Sequence, residues 1–429
     1  MKKLKKQDLR WLRLDNAAKI YPAAKRRNWS NVFRQSVCLT EPVDVKILQD
    51  ALDVTVKRFP SIAARLRRGA FWYYLEQVPH APRVMEECSY PLTHMSRRQM
   101  RQCAMRVLVF EDRIAVEFFH SLTDGTGALI FLKTLTAEYL QQKYGMQIPA
   151  ELGVLDRQET PKPEELEDSF PKYAAPVKAS RKDTDAWHMW GVPQPGGFLH
   201  QVCLQLPAAE VVKAAKAAGV SVTVYLSAAM MMALTNLQNE KQPNVKKPKL
   251  IKLLIPVNLR NLFPSQTLRN FAMYVIPQLD PRLGQYSFSE ICQLIRHKMG
   301  LEVTAKHMST VIATNVGDEE NMAVRMIPLP LKNMVMKAIF DAVGEKKSCL
   351  SMSNLGVVQL PEVMKPYVRR MDFVLGVQAD APYNCGVITY GNTVYVNFIR
   401  NIRHAELERH FYLVLRELGI PVLAESNGG

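Results

Sequence analysis

A strand that ends in a histidine and turns through a glycine into a helix is the feature that most restricts how this chain can fold. From Arg113 onward apolar residues dominate, and the side chains of a strand alternate between its two faces. One face carries Ile114, Val116, Phe118 and His120. Asp124 and Gly125 follow, and an apolar run with helical spacing begins there. This order predicts an α/β unit with the histidine at a strand end, where rigid scaffolds often present reactive side chains.

His120 and Asp124 each allow two interpretations. A histidine exchanges a proton near neutral pH, so His120 could act as a general base, or it could be a core histidine satisfied by its neighbours. Asp124 could orient His120 as in a catalytic triad, or it could cap the helix that starts at Gly125. The residues of this segment alone leave both pairs of alternatives open.

Composition limits the class of protein. The chain has 429 residues, 48% hydrophobic and 22% charged, which is typical of a soluble globular protein with more than one core. No run of eighteen apolar residues occurs, so we expect no transmembrane helix. The lysine-rich start at residues 1–8 lacks a following apolar region, so we expect no secretory signal.

The cysteines and histidines favour a cytoplasmic protein without a metal site. The seven cysteines are scattered and form no CxxC pair, which is typical of reduced thiols rather than disulfides or zinc ligands. The nine histidines show no HExxH spacing. No P-loop, dinucleotide-binding or GxSxG motif is present, which disfavours the enzyme classes that depend on them.

The formal charge of +16 has three explanations. The chain could bind nucleic acid, it could attract a polyanionic small substrate such as coenzyme A, or it could simply carry a solvated basic surface. The basic residues are spread along the chain without an aromatic-interleaved stripe, so we do not expect nucleic acid as a partner.

Hydrophobic periodicity predicts two α/β halves. The first half should contain a helix from Asp44 to Phe59, capped by Asp44, a hairpin over 104–119 and a helix from Gly125 to Lys143. The second should contain a strand at 200–206, helices at 208–218, 222–237 and 404–418, and strands at 250–256, 371–378, 384–390 and 393–399. Six prolines among many charges separate the halves. The predicted units are an N-terminal subdomain at 1–160, a crossover at 161–197 and a C-terminal subdomain at 198–429.

Five segments together resemble a known superfamily. They are His120–Gly125 (HSLTDG), Arg58–Arg65 (RFPSIAAR), the helix entry at 218–229, Pro256–Arg260 (PVNLR) followed by Arg269-Asn270-Phe271, and Ser353–Gly356 (SNLG). In their order along the chain, over roughly residues 29–419, they resemble the chloramphenicol-acetyltransferase-like superfamily of CoA-dependent acyltransferases. That group includes alcohol acetyltransferases, the plant BAHD enzymes and the condensation domains of peptide synthetases.

The chain departs from the superfamily pattern at three positions. Phe119 replaces a first histidine that many members carry, Ala63 stands where condensation domains often have arginine, and Arg269 replaces an expected glycine. The first change leaves the usual base, His120, in place. The second weakens the likeness to condensation domains, and the third puts the detail of that loop in doubt.

The resemblance implies an α/β fold of two acetyltransferase-like subdomains, each a mixed sheet flanked by helices, with a channel between them. It implies transfer of a short- to medium-chain acyl group from a CoA thioester to an alcohol or amine, with O-acyl transfer favoured. Acyl-CoA would be a co-substrate, and no bound cofactor is expected. Two alternatives stay open: a condensation-type enzyme that takes its donor from a carrier protein, and a non-catalytic binding relative.

The resemblance also assigns roles to site residues. His120 would be the general base, acting without an acyl-enzyme. Asp124 would hold the loop by pairing with Arg260 or, as second choice, Arg65, and Gly125 would make room beside the thioester. The candidate oxyanion donors are Ser353 and Asn354, with Asn258 as a weaker candidate.

Overall fold

The computed structural model describes residues 10–24, 31–87, 89–177, 184–242, 248–320, 326–339, 347–378 and 381–427. The lysine-rich start and Cys88 lie outside them. The helices of the described residues are α1 (Ile20–Ala24), α2 (Val45–Arg58), α3 (Arg97–Gln102), α4 (Gly125–Tyr144), α5 (Pro163–Leu166), α6 (Ala208–Ala217), α7 (Val222–Lys241), α8 (Phe288–Glu302), α9 (Ala305–Glu320), α10 (Leu329–Ile339) and α11 (Glu406–Glu417).

Within the described residues the strands form three sheets. The small sheet contains β1 (Trp11–Arg13), β3 (Ala64–Arg68) and β4 (Tyr73–Gln77) in the order β1-β4-β3. The first large sheet contains β2 (Val32–Leu39), β5 (Met85–Glu86), β6 (Met105–Phe110), β7 (Arg113–Phe119) and β13 (Val368–Val374) in the order β13-β2-β7-β6-β5. The predicted hairpin is confirmed, since β6 and β7 pair antiparallel with Val107 opposite Val116.

The second large sheet is mixed. It contains β8 (His200–Pro207), β9 (Ile251–Asn258), β10 (Ala272–Val275), β11 (Gln278–Leu279), β12 (Leu350–Val357), β14 (Tyr383–Tyr390), β15 (Thr393–Arg400) and β16 (Leu423–Ser426). The described order is β10-β9-β12-β14-β15-β8-β16, with β11 paired to β9. β12 runs parallel to β9 and β14, whereas β14, β15 and β8 pair antiparallel.

Capping residues mark the ends of two of the main helices. Asp44 caps α2, because its side chain accepts hydrogen bonds from the backbone N–H groups of Lys46 and Ile47. Gly145 follows the last residue of α4, and its φ of +66° lies in the left-handed region that glycine tolerates best. α2 packs against α4, and the two cover the core of the first large sheet. α7 and α11 pack together on the second core.

One strand lies in a different sheet from the one the sequence indicates. β13 falls within the predicted C-terminal subdomain, yet it pairs with β2 in the first large sheet, with Met371 opposite Val37. Gly386 of β14 lets the two large sheets approach, since a Cβ there would lie 2.3 Å from the carbonyl oxygen of Phe373. A strand pattern identifies a buried strand but not its partner, so the predicted boundary at residue 198 does not separate the two sheets.

The crossover is irregular but anchored. It contains α5 and short 3-10 helices at Pro171–Tyr173 and Pro195–Gly197. Glu165 of α5 pairs with the buried guanidinium of Arg58 at 2.5 Å, and Phe170 enters a small core on the second half. Among the described helices none alone could cross a membrane by length and hydropathy; α6 and α7 pass that test only as a pair bent by 85°.

Candidate active site

His120 lies one residue beyond the end of β7, between two aromatic rings. Its backbone N–H donates to the carbonyl of Asn31 at 2.8 Å, which continues the β2–β7 pairing past the strand end. The imidazole stacks on Tyr21 with centroids 4.6 Å apart, and Phe33 packs at 5.0 Å. Burial lowers the pKa of His120 below its usual value, against smaller opposing effects of its own backbone, Asp124 and Asn270. The imidazole is therefore neutral at physiological pH.

Asn270 determines which nitrogen of His120 carries the proton. Its Oδ1 lies 3.1 Å from Nδ1 of His120, and its Nδ2 donates to Oδ2 of Asp15 at 3.2 Å. A carboxylate only accepts, so the amide nitrogen faces Asp15 and the amide oxygen faces the histidine. An amide oxygen only accepts as well, so Nδ1 must donate. The lone pair of the neutral ring therefore lies on Nε2.

Asp15 is a buried carboxyl group at the end of this hydrogen-bond chain. Burial raises its pKa to about 6, with the nearby Arg269 opposing that rise. The guanidinium of Arg269 lies 3.6 Å from Oδ2 of Asp15 and also donates to the backbone carbonyls of Arg13 and Leu166. The arginine at the position of the expected glycine thus ties the N-terminal segment to the loop that carries Asn270.

Asp124 caps α4 and pairs with Arg260 at the same time. Its Oδ1 accepts from the backbone N–H groups of Thr126 and Gly127, both at 3.1 Å. Its Oδ2 accepts from Nη1 of Arg260 at 2.7 Å and from the backbone N–H of Phe271 at 2.8 Å. Both oxygens are thereby engaged away from the imidazole. The triad alternative does not fit, because Asn270 occupies the place beside Nδ1 of His120.

Arg260 joins the motif loop to the loop after β9. Its Nε donates to the carbonyl of Thr267 at 2.9 Å, and Nη2 donates to the carbonyl of Arg269 at 2.6 Å. Arg65, the second-choice partner of Asp124, instead pairs with Glu76 at 2.6 Å across the small sheet. The difference arises because Arg65 is a strand residue of β3, and its cross-strand neighbour on β4 is that glutamate.

Asn258 belongs to the same loop-holding cluster. Its Nδ2 donates to Oγ1 of Thr126 at 3.1 Å, and its Oδ1 accepts from the backbone N–H of Arg260 at 3.1 Å. Both ends of this amide therefore hold the start of α4 against the end of β9. This arrangement gives Asn258 a bracing contact and makes it a poorer oxyanion donor than the sequence expectation allowed.

Gly125 of the motif and Gly127, two residues beyond it, differ in what surrounds them. A Cβ at Gly125 would lie 2.7 Å from Cδ2 of Leu355, the far end of a side chain. A Cβ at Gly127 would lie 2.2 Å from both the carbonyl oxygen of Leu268 and Oγ1 of Thr123. The expected space beside Gly125 is thus taken by a residue of β12, and Gly127 has the tighter surroundings.

β12 passes directly beside the motif loop. Leu355 lies against Gly125, and Ser353 and Asn354 precede it on the strand, with Ser353 opposite Gly386. Asn354 donates from Nδ2 to Oγ1 of Thr223 at 3.1 Å and accepts from the backbone N–H of Gly356 at 2.8 Å. The SNLG segment therefore lies next to the start of α4, although the hydrogen bonds of Asn354 lead toward α7.

The sequence alone does not link His120 to Tyr21 and Asn270, or to Asp15 behind Asn270. Asn270 lay within a segment of the superfamily resemblance, but nothing in its spacing linked it to the imidazole. Asp15 and Tyr21 lie in an N-terminal segment that shows no motif or periodicity. No group of three or more His, Cys, Asp or Glu side chains suited to a metal ion occurs in the described part of the chain.

Comparisons with known proteins identify the fold. No family model and no curated protein sequence matches the chain significantly. The TRI3 trichothecene 15-O-acetyltransferase of Fusarium sporotrichioides superposes with a TM-score of 0.62 at 11% identity, covering 97% of this chain and 96% of that one.

Two other solved structures have a similar fold. The first condensation domain of the CDA synthetase gives a TM-score of 0.60 at 13% identity, covering 96% and 99% of the two chains. TRI101 of F. graminearum, complexed with coenzyme A and T-2 mycotoxin, gives 0.60 at 10% identity over 93% and 96%. The chain therefore has the chloramphenicol-acetyltransferase-like fold of acyltransferases and condensation domains, and the predicted fold class is confirmed.

Proposed function

We propose that this protein is an acyltransferase that moves a short- to medium-chain acyl group from a CoA thioester to an alcohol or amine, with a hydroxyl acceptor favoured. One observation carries the proposal. His120 is a half-buried neutral imidazole whose Nδ1 proton is held by Asn270, which leaves Nε2 as a base. An activated thioester needs only such a base and an aligned acceptor.

The proposed reaction uses this tautomer directly. Nε2 of His120 removes the proton of the acceptor hydroxyl as its oxygen attacks the thioester carbonyl. The carbonyl electrons move to oxygen and form a tetrahedral intermediate. When the intermediate collapses, the C–S bond breaks and the sulfur takes the proton back from Nε2, giving an ester and the free thiol of CoA. No acyl-enzyme forms, and Nδ1–H remains bonded to Oδ1 of Asn270 throughout.

The surroundings of His120 favour this role energetically. Burial keeps the ring neutral before attack, and the Asn270 oxygen, with Asp15 behind it, stabilises the transient imidazolium. Proton transfer of this kind contributes roughly a hundred- to ten-thousandfold in rate, and alignment of the two substrates contributes the rest.

The oxyanion of the intermediate needs a donor, and β12 offers two candidates. Ser353 and Asn354 precede Leu355, which contacts Gly125 beside the motif loop. One N–H of the Asn354 amide is used by Thr223, and an amide nitrogen has two. Asn258 ranks below them because both ends of its side chain brace the loop.

CoA as the donor is supported by charge and by a structural relative. The net charge of +16 favours capture of a polyanion, and the similar TRI101 was crystallised with coenzyme A. We keep the cytoplasm as the proposed location. No bound cofactor or metal enters the proposed reaction.

The decisive test is a panel of acyl-CoAs and alcohol or amine acceptors, with release of the CoA thiol as the readout. We expect acceptor-dependent thiol release by the wild type and a loss of at least about a hundredfold in His120→Ala. His297→Ala, which changes an exposed histidine of α8, is the matched control and should keep full activity. The proposal fails if the wild type transfers from no donor, or if His120→Ala equals the wild type.

A second candidate is a condensation-type enzyme with a carrier-protein donor, because a condensation domain superposes about as well as the acetyltransferases do. Comparing the same acyl group on free CoA and on a carrier protein discriminates the two. Transfer only from the carrier favours this candidate. A non-catalytic binding relative would bind acyl-CoA equally with and without His120 and release no thiol.

A further inference from the structure

An apolar stripe on α10 faces solvent. Its residues are Leu331, Met334, Val335 and Ala338, which we call the α10 face. Their spacing of three, four and seven positions places them on one side of a helix. Leu331 is 56% exposed, Met334 70% and Val335 50%, and Ala338 is exposed as well. Single exposed apolar residues are common, but a continuous stripe on one helix indicates an interaction surface.

The opposite side of α10 is held firmly against the small sheet. Leu329 is buried, and its backbone N–H donates to the carbonyl of Ala70 at 3.0 Å. Nζ of Lys332 donates to the carbonyl of Phe71 at 3.0 Å and lies 3.6 Å from the ring centroid of Trp72. These contacts fix the rotation of the helix about its axis, and the α10 face therefore points toward solvent.

This orientation is the reverse of what burial by itself favours. The helix buries a lysine and exposes a leucine, a methionine and a valine, although a lysine loses hydration when buried. Burial and the nearby Lys19 lower the pKa of Lys332, which reflects that cost. The arrangement becomes favourable when the exposed apolar face is itself covered.

The helix that carries the α10 face packs against a wall of the candidate site. α10 packs against α1, and α1 carries Tyr21, whose ring stacks on His120. One helix thus separates the exposed stripe from the imidazole. Phe71 lies in the turn that contacts α10 and is 42% exposed, so it adds apolar surface near the α10 face.

We propose that the α10 face docks this protein on an anionic lipid bilayer, with α10 lying in the plane of the interface, and that the acceptor is an alcohol dissolved in that membrane. The second half of the proposal rests on the proposed function, and the docking does not. An interfacial helix inserts apolar side chains among the headgroups while basic residues meet anionic lipids.

Charge complementarity favours the bilayer over other occupants. The chain carries +16, Lys337 lies on α10 itself, and exposed Arg68 precedes the turn on which α10 rests. Two copies of so basic a chain repel each other. The helix has 11 residues with three large apolar side chains on its exposed face, well short of the roughly 20–30 residues a side of a standard protein interface.

The test is co-sedimentation with phosphatidylcholine vesicles, with and without phosphatidylserine. We expect the wild type to bind the anionic vesicles, with binding that weakens as salt rises. The triple variant Leu331→Gln, Met334→Gln, Val335→Gln should lose at least about tenfold in partitioning, because it removes the inserted apolar groups without changing charge. Glutamine preserves helix propensity.

A matched control changes Leu283, Leu301 and Leu413, three exposed leucines away from α10, to glutamine and should bind like the wild type. Equal thermal melting of all variants establishes that they are folded. The docking proposal is overturned if the wild type stays in solution with every vesicle, or if the α10 variant binds as well as the wild type. A dimer in sedimentation velocity that the α10 variant abolishes, without vesicle binding, overturns it in favour of a second copy.

The acceptor half is tested by comparing a vesicle-dissolved long-chain alcohol with a water-soluble alcohol. The α10 variant should slow transfer to the first by about tenfold and leave transfer to the second unchanged. If the α10 variant changes the rate of transfer to both alcohols by the same factor, the proposal of a membrane-dissolved acceptor is overturned. Absence of any transfer by the wild type contradicts the proposed function while vesicle binding still reports on docking.

Discussion

The side-chain oxygen of Asn270 lies 3.1 Å from Nδ1 of His120, across 150 residues of sequence. Because the amide nitrogen of Asn270 is turned toward Asp15, the amide oxygen faces the imidazole and can only accept a hydrogen bond from Nδ1–H. The two halves of the chain thus cooperate at one atom: the first half supplies the base, and the second selects its tautomer.

Asn270→Ala should remove the preference for the Nδ1–H tautomer of His120. It should also lower kcat about tenfold, the factor expected from losing one hydrogen bond of about 1.4 kcal/mol. The bond to Asn270 raises the pKa of His120, so its loss should lower that pKa further. ¹⁵N NMR of the imidazole nitrogens would report both the tautomer and the titration. Asn239→Ala, at an exposed position of α7, is the control. An unchanged Nδ1–H signal in Asn270→Ala would contradict the assignment.

The pH dependence of kcat/KM should follow the depressed pKa of His120. A histidine base works only when neutral, and burial lowers this pKa, so the acidic limb should have its midpoint below the ordinary 6.5. Burial raises the pKa of Asp15 to about 6, so protonation of Asp15 falls in the same pH range. In Asp15→Asn, which keeps a side-chain oxygen for Asn270, a limb due to His120 persists. A midpoint above 6.5 in the wild type would refute this prediction.

Asp124→Asn should weaken both the loop and the reaction. An asparagine oxygen can still cap α4, but its amide nitrogen would face two donors, Arg260 and the Phe271 N–H. The pair is buried, with side-chain exposures of 7% and 11%, so breaking it should reduce the free energy of unfolding by about 3 kcal/mol. Denaturant unfolding and thiol-release assays measure the two effects.

Asp280→Asn provides the matched control, because Asp280 also caps a short helix and pairs with an arginine, Arg282, at 2.5 Å. That arginine is 56% exposed, so its ion pair is screened by solvent and should contribute far less to stability than the pair of Asp124 and Arg260. Equal losses of stability in the two variants would argue against the loop-holding role of Asp124.

Gly127→Ala should be more damaging than Gly125→Ala. The new methyl group at 127 would meet the Leu268 carbonyl, which is backbone and cannot rotate away, whereas at 125 it would meet only the end of Leu355. We expect lower melting temperature and activity in Gly127→Ala. Leu355→Ala should restore part of the loss in Gly125→Ala but none in Gly127→Ala. Rescue of both variants by Leu355→Ala would show that the predicted contacts are wrong.

Local patterns predicted much of the secondary structure. The apolar spacing predicted the helix after Asp44 and the β6–β7 hairpin, and the turn at Asp124-Gly125 predicted the start of α4; all are present. These features depend on residues within one or two turns of each other, and a linear pattern records such interactions directly. The resemblance of ordered motifs added the fold class, which the structural comparisons confirm.

Pairings between distant segments were decided only by the tertiary structure. Strand periodicity identified a strand near 371 but not its partner β2, because burial alternates in the same way in either sheet. The motif left Asp124 with two roles and His120 without a partner. The fold assigned both helix cap and ion pair to Asp124, and it brought Asn270, Asp15 and Tyr21 to His120. A sequence records which side chains can donate or accept, whereas the packing of two sheets determines which of them meet.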